Sequence, residues 1–186
     1  MAFAVTGAAL FAACTGTPQL HGVMVDPPRE VAAFTFTRAS GATFTTAPES
    51  GRLTVLFFGY THCPDVCPTT LSDWKRAKTK LGADAAAVRF VFVSVDPARD
   101  TPAIAERYAT QFDAAFTGLS GDSATTAGIL AAFGASAARE GIVDSTHYSV
   151  AHAAQTFLLD DRGRIVAMYP LGIGWEALAA DLATLR

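Results

Sequence analysis

Two uninterrupted apolar runs dominate the middle of the chain. Leu53–Gly59 (LTVLFFG) and Arg89–Val95 (RFVFVSV) read as strands buried on both faces rather than as strands with one wet side. Between them, Pro68–Leu81 changes period. Leu71, Trp74, Ala77, Lys78 and Leu81 recur at the i, i+3, i+4 spacing of a helix. A second helix is expected over Thr101–Phe112, with Thr101 as N-cap and Pro102 at the first helical position. A short strand over Phe116–Leu119 and a helix over Asp122–Phe133 follow, the helix closed by Gly134. Ala154–Leu159 and Arg164–Tyr169 flank Asp160-Asp161-Arg162-Gly163, a hairpin signature, and Trp175–Arg186 reads as a C-terminal helix. Upstream, the partial alternation of Phe34-Thr35-Phe36-Thr37 and Thr43-Phe44-Thr45 predicts a β-hairpin turning at Ser40-Gly41. No internal repeat is visible.

Strands alternating with helices, then a hairpin and a last helix, predict an α/β sandwich with a mixed sheet. That order is the order of a thioredoxin-like fold with an N-terminal β-hairpin extension. The 186 residues suit one such domain, and 51% hydrophobic against 17% charged residues is the balance of a globular chain. A net charge of -3 leaves no basic footprint for nucleic acid, which is excluded as a partner.

The two ends of the N-terminal third read differently from the domain. Residues 1–13 (MAFAVTGAALFAA) are apolar or small, too short to span a bilayer but matched to the core of a secretory signal. Cys14 follows Leu10-Phe11-Ala12-Ala13, an arrangement that looks like a bacterial lipoprotein cleavage box with Phe11 where an aliphatic residue is usual. Residues 1–14 are therefore expected to be a signal or lipoprotein-type anchor. This places the protein on the extracytoplasmic face of a bacterial cell envelope, attached to the membrane. Residues 15–30, with three prolines and two glycines, predict a tether, leaving 31–186 as the folded domain.

The chemistry gathers where the first buried strand ends. Tyr60-Thr61-His62-Cys63-Pro64-Asp65-Val66-Cys67-Pro68 leads into the helix, and in open α/β sheets functional groups collect at such junctions. Cys63 and Cys67 are four apart, so a helical turn from Pro64 brings both sulfurs to one face. The positive end of a helix favours thiolate over thiol. Such a pair can close to a disulfide or grip a soft metal ion. Thiol–disulfide oxidoreductases usually space their cysteines C-x-x-C, and structural zinc needs four ligands. Copper(I) accepts two thiolates and an imidazole.

Three segments carry a family resemblance. Gly59–Pro68 resembles the signature of the Sco/SenC family of copper-binding assembly proteins. Val93-Ser94-Val95-Asp96-Pro97-Ala98-Arg99-Asp100-Thr101-Pro102 resembles the family's D-P-x-R-D-T-P block. Tyr148-Ser149-Val150-Ala151-His152 resembles the segment with its third ligand. The resemblance implies a thioredoxin-like fold, membrane attachment, and copper bound by Cys63, Cys67 and His152. It also implies a chaperone that delivers copper to the copper-bearing subunit of cytochrome c oxidase, with another copper chaperone or thiol reductase as a further partner. The family usually places Asp before the ligand His and a hydroxyl residue after it; Ala151 and Ala153 stand there in this chain. The alternative function is a thiol–disulfide reductase using Cys63 and Cys67 as a redox pair. Thioredoxins face their cysteines with a cis-proline, and Ala151-His152-Ala153 has none. A peroxiredoxin would need Pro and a hydroxyl residue where Leu56 and Tyr60 stand, so that reading fails.

The other histidines have separate expectations. His147 is expected on an exposed loop, His62 to point away from the sulfurs, and His21 to be idle in the tether. Asp96, Arg99 and Asp100 follow the second buried strand at the cysteine end of the sheet, where the functional reading is that they hold the copper loop. Helix entry alone accounts for Asp100, Thr101 and Pro102. It does not account for Asp96, which is the better functional candidate.

Overall fold

The computed structural model describes residues 19–185. In chain order the elements are β1 (Val23–Glu30), β2 (Thr35–Thr37), β3 (Thr43–Thr45), β4 (Leu53–Gly59) and α1 (Val66–Leu81). A 3-10 turn over Gly82–Ala87 leads to β5 (Val88–Ser94), α2 (Pro102–Phe112), β6 (Thr117–Leu119) and α3 (Ser123–Phe133). Last come β7 (Ala137–Glu140), β8 (Ser149–His152), β9 (Thr156–Leu159), β10 (Arg164–Tyr169) and α4 (Trp175–Thr184).

Six strands form the central sheet in the order β1-β10-β9-β4-β5-β6. β4 pairs in parallel with β5, and β5 with β6; β9 lies antiparallel on the other side of β4. Every residue of β4 is buried, as its unbroken apolar run predicts. The reason is visible in its aromatic pair. Phe57 meets Trp74 of α1 edge-on at 6.3 Å, whereas Phe58 meets Phe133 of α3 at 5.3 Å. Successive side chains point to opposite faces, so each face is capped by a helix. The result is the thioredoxin-like α/β fold expected from the sequence. The extension is present too: β2 and β3 pair Phe36 with Phe44 around the expected turn.

The chain differs from expectation at its N-terminal side. Val23–Glu30, expected as tether, is the edge strand β1, paired antiparallel with β10. Pro27 and Pro28 fall where the register breaks between Met24 and Arg29, and an edge strand at an irregularity is where a sheet tolerates prolines. His21 is not idle. Its backbone N–H and that of Gly22 donate to the Asp181 carboxylate of α4, its ring Nδ1 lies 2.7 Å from the same group, and the Tyr169 hydroxyl donates to it at 2.9 Å. The anchor expected over residues 1–14 lies outside the described residues.

α1 begins at Val66, two residues earlier than expected, so that Cys67 sits in its first turn. Cys67 packs directly on the end of β4. A Cβ added at Gly59 would lie 2.7 Å from Cys67 Sγ, 2.7 Å from Phe92 and 2.9 Å from Phe57. Only a hydrogen at that position leaves room for the sulfur.

Two outcomes follow from these contacts. Gly59→Ala overpacks the junction of α1 and β4 and should destabilise the domain by about 1–3 kcal/mol in urea denaturation. Asp181→Ala should cost about 1–3 kcal/mol, because it strands donors that the carboxylate satisfies. Burial acts to raise the Asp181 pKa, but the bonds from His21, Gly22 and Tyr169 outweigh it and hold the group below its ordinary value. Its contribution is therefore full above the ordinary aspartate range. The stability gap between wild type and variant should close as pH falls through the folded-state value.

Candidate metal centre

Three ligand-type atoms converge at the cysteine end of the sheet. The sulfurs of Cys63 and Cys67 and a ring nitrogen of His152 all lie within 4.8 Å of one another. Among the described residues they form the one such cluster of histidine, cysteine and acidic side chains.

Each member arrives by a different route. Cys63 lies before α1, in the turn closed by its N–H on the Tyr60 carbonyl at 3.2 Å. Its sulfur accepts the Cys67 N–H at 3.4 Å, acting as a cap for the otherwise unpaired start of the helix. The Asp65 side chain, at the N-cap position, makes no capping bond. Cys63 is half-buried and Cys67 fully buried; neither is in a disulfide. His152 ends β8, half-buried, with its Nε2 3.7 Å from Cys67 Sγ and its Nδ1 3.1 Å from the Ala153 carbonyl. The edges or faces of Phe57 and Tyr60 flank the imidazole, each with its ring centre 5.7 Å away.

The electrostatics differ from the sequence expectation at one cysteine. The helix N-terminus was expected to favour thiolate, but burial pushes the Cys67 thiol far above its ordinary range. The Tyr60 backbone opposes this, while Cys63 and Asp100 add to it. Burial also lowers the His152 pKa, against the opposing carbonyls of Ala153 and Phe58. The ring is thus neutral at neutral pH. With Nδ1–H donating to Ala153, the Nε2 lone pair faces the Cys67 S–H.

Around this cluster two carboxylates divide the work. Asp100, credited by the sequence to helix entry, is instead buried beneath the cysteine loop. It accepts from the Thr61 N–H at 2.9 Å, the Thr61 hydroxyl at 2.6 Å and the Ser94 hydroxyl at 2.6 Å. Capping falls to Thr101 alone, which accepts from Ile104 N–H. Asp96 is buried as well and accepts from Arg99 and from the Tyr148 hydroxyl, so it faces the His152 side. Sequence reasoning weighed Asp100 as a holder of the cysteine loop but favoured capping, and it missed Tyr60 and Tyr148. The signal for Asp100 was its place in the D-P-x-R-D-T-P block at the cysteine end of the sheet, hidden by a sufficient capping explanation.

The remaining histidines stand apart. His62 is exposed, with Nδ1 3.8 Å from Asp100, and is not part of the three-atom cluster. His147 is exposed and pairs with Asp144 at 2.8 Å.

Known proteins resemble this chain in sequence and fold. The model of the family SCO1/SenC matches residues 24–186. A "SCO2-like protein" of Rickettsia felis is 32% identical over 133 residues, 71% of this chain and 65% of the relative, so the match spans just under two thirds of that protein. Among solved structures, apo Sco1 of Thermus thermophilus is 35% identical with a TM-score of 0.82, covering 90% of this chain and 98% of that one. ScoI of Bradyrhizobium japonicum with copper bound is 38% identical with a TM-score of 0.76, covering 84% and 99%. With the fold, the three-atom cluster and a family match over nearly the whole described chain, the protein belongs to the SCO1/SenC family.

Proposed function

We propose that the chain is a copper chaperone that binds its cargo through Cys63, Cys67 and His152 and delivers it to the copper-bearing subunit of cytochrome c oxidase. The observation that carries the reading is the convergence of two sulfurs and one imidazole nitrogen within 4.8 Å. Two soft donors and a borderline one suit copper(I). The cluster is one ligand short of a closed tetrahedral zinc site. The copper-bound ScoI of Bradyrhizobium japonicum, 38% identical, supports copper as the metal.

The residues act in sequence. Cys63, half-buried, is the sulfur an incoming ion meets first. His152 already has its Nε2 lone pair turned to the site. Cys67 must release its proton to solvent as its sulfur joins, so binding should weaken as pH falls.

A thiol–disulfide reductase is the second reading, favoured by the asymmetry of the sulfurs. The accessible Cys63 thiolate would attack a partner disulfide, forming a mixed disulfide and releasing one partner thiolate. Cys67, once deprotonated, would then displace the second thiolate and close the Cys63–Cys67 disulfide. The partner gains two electrons and two protons.

His152→Ala separates the readings. In the copper reading the variant keeps copper(I) on two thiolates but loses the copper(II) form and its thiolate charge-transfer absorption. His62→Ala and His147→Ala keep both forms. Attack of Cys63 on a small disulfide should be nearly unchanged in His152→Ala. A reduced wild type that holds no copper would remove the chaperone reading. Prior oxidation to the Cys63–Cys67 disulfide should abolish uptake, since both donors are consumed.

The chaperone reading includes attachment at Cys14 to the extracytoplasmic face of the membrane. No helix among the described residues is long and apolar enough to cross a bilayer, so attachment would rest on the N-terminal segment. Cys14→Ser should shift the protein from the membrane fraction to the soluble envelope fraction with copper binding intact. Mass spectrometry of the wild type should find a lipid-modified Cys14. An unmodified chain retaining Met1 would count against the anchor.

A further inference from the structure

The strand that carries His152 does not belong to the main sheet. β7 and β8 pair only with each other, Ala137 opposite His152 and Glu140 opposite Ser149. The cysteines, by contrast, are fixed to the end of β4 at the centre of the six-stranded sheet. No backbone ladder therefore sets the distance between the imidazole and the sulfurs. It depends on what fastens the β7–β8 arm to the scaffold.

Beside the buried Tyr148 and Val150 side chains and the short link from His152 into β9, Arg99 supplies the polar part of that fastening. Its side chain, 9% exposed, reaches from the loop after β5 and donates through Nη1 to the carbonyls of Thr146 at 3.0 Å and Tyr148 at 2.9 Å. The guanidinium lies 3.5 Å from the centre of the Tyr148 ring and 5.7 Å from that of Tyr60. Its Nε is paired with Asp96, whose other oxygen accepts the Tyr148 hydroxyl at 2.7 Å. Arg139, on the arm itself, lies over the Tyr148 ring at 4.5 Å and reaches Asp96 at 4.0 Å. The next residue after Arg99 is Asp100, which holds the cysteine loop through Thr61. Neighbouring side chains on one rigid turn thus hold the two halves of the ligand set.

We propose that Arg99 and Tyr148 are positioning residues: together they fix the β7–β8 arm so that His152 Nε2 faces both sulfurs. A planar fork bound to two carbonyls and a carboxylate while lying on a ring is work that an ammonium group cannot reproduce. The latch itself is a property of the metal-free protein; its consequence for copper rests on the function proposed above.

The test has a metal-free arm and a copper arm, on the full chain in reduced form. Tyr148→Phe removes only the hydroxyl bond to Asp96, Arg99→Lys keeps the charge, and Arg99→Met keeps the length. Without metal, amide hydrogen exchange should speed up in β8 by about tenfold or more for Arg99→Met, as arm-fastening bonds are lost, and leave β4 unchanged. Arg99→Lys should recover little of this protection. In the copper arm, copper(II) affinity should fall by on the order of 10–100-fold, with weakened nitrogen hyperfine splitting in the electron paramagnetic resonance spectrum. Copper(I) held by the two thiolates should change far less. Wild-type exchange in β8 of all variants would overturn the latch. A loosened arm with an unchanged copper(II) spectrum would overturn the positioning role. If Arg99→Met does not fold, Tyr148→Phe decides, since its ring and packing persist. If wild type itself holds no copper, the proposed function fails and the exchange arm still decides the latch.

Discussion

The parallel register of β4 against β5 is the constraint on which the site depends. Leu53 pairs with Val88 and Gly59 with Ser94, and Val95 N–H continues the ladder onto the Gly59 carbonyl. Both strands therefore end at one level, and the loops they feed begin side by side. Only this register lets Asp100 reach Ser94 on its own strand and Thr61 on the neighbouring loop. A slip of one residue would turn Gly59 and Ser94 to the wrong faces. Cys67 would then meet a side chain where it now packs against none, and Asp100 would lose the loop it holds.

Placing a sulfur at that level has an electrostatic consequence. Cys67 is enclosed by β4 and α1, and the Asp100 carboxylate acts on its thiol. Both burial and Asp100 disfavour its thiolate. A redox pair tuned for rapid exchange would benefit from a low thiol pKa, as the helix N-terminus was expected to supply. The arrangement found is closer to the opposite. In the proposed copper reading, a bound cation would reverse that preference and stabilise the second thiolate. The neutral His152 fits the same logic, since it contributes a lone pair without adding charge. In that reading, protonation state and metal occupancy would be coupled through burial.

Much of this was legible in the sequence because it was local or strongly periodic. The β4 run, the helix after the cysteines, Thr101 as cap, Gly134 as helix stop and the β9–β10 hairpin all carry their signals within a few residues. The misses share a different cause. β1 looks like a linker because its prolines break any strand pattern, and they are harmless only because one side of the strand has no neighbour. β7 (AARE) is largely exposed and has no apolar stripe, and β8 is four residues whose packing comes from Tyr148 and Val150. Asp100 reads as helix entry because Thr61, its partner in the cysteine loop, is 39 residues upstream. No window along the chain contains both. The proposed ligand set rests on spacing for the two cysteines and on the family resemblance for His152, since 85 residues separate Cys67 and His152, whose Sγ and Nε2 lie 3.7 Å apart.

The alanines on either side of His152 sharpen what orients the imidazole. The family resemblance leads one to expect side-chain acceptors there, since a ligating ring is usually aimed by a hydrogen bond at its far nitrogen. Here the main chain supplies that bond, from the Ala153 carbonyl to Nδ1 at 3.1 Å. Phe57 and Tyr60 restrict the ring's rotation from either flank. A backbone acceptor and aromatic walls do not depend on the side chains at 151 and 153, so the ring's aim survives their loss. Ala151 is exposed and faces Ala138 across the β7–β8 pair. What the missing polar groups alter is the surface beside the site, where a recipient protein would meet the arm. In the chaperone reading, the alanines would remove hydrogen-bonding partners from that encounter while leaving the ring's aim to the backbone, so they would bear on docking before they bear on affinity.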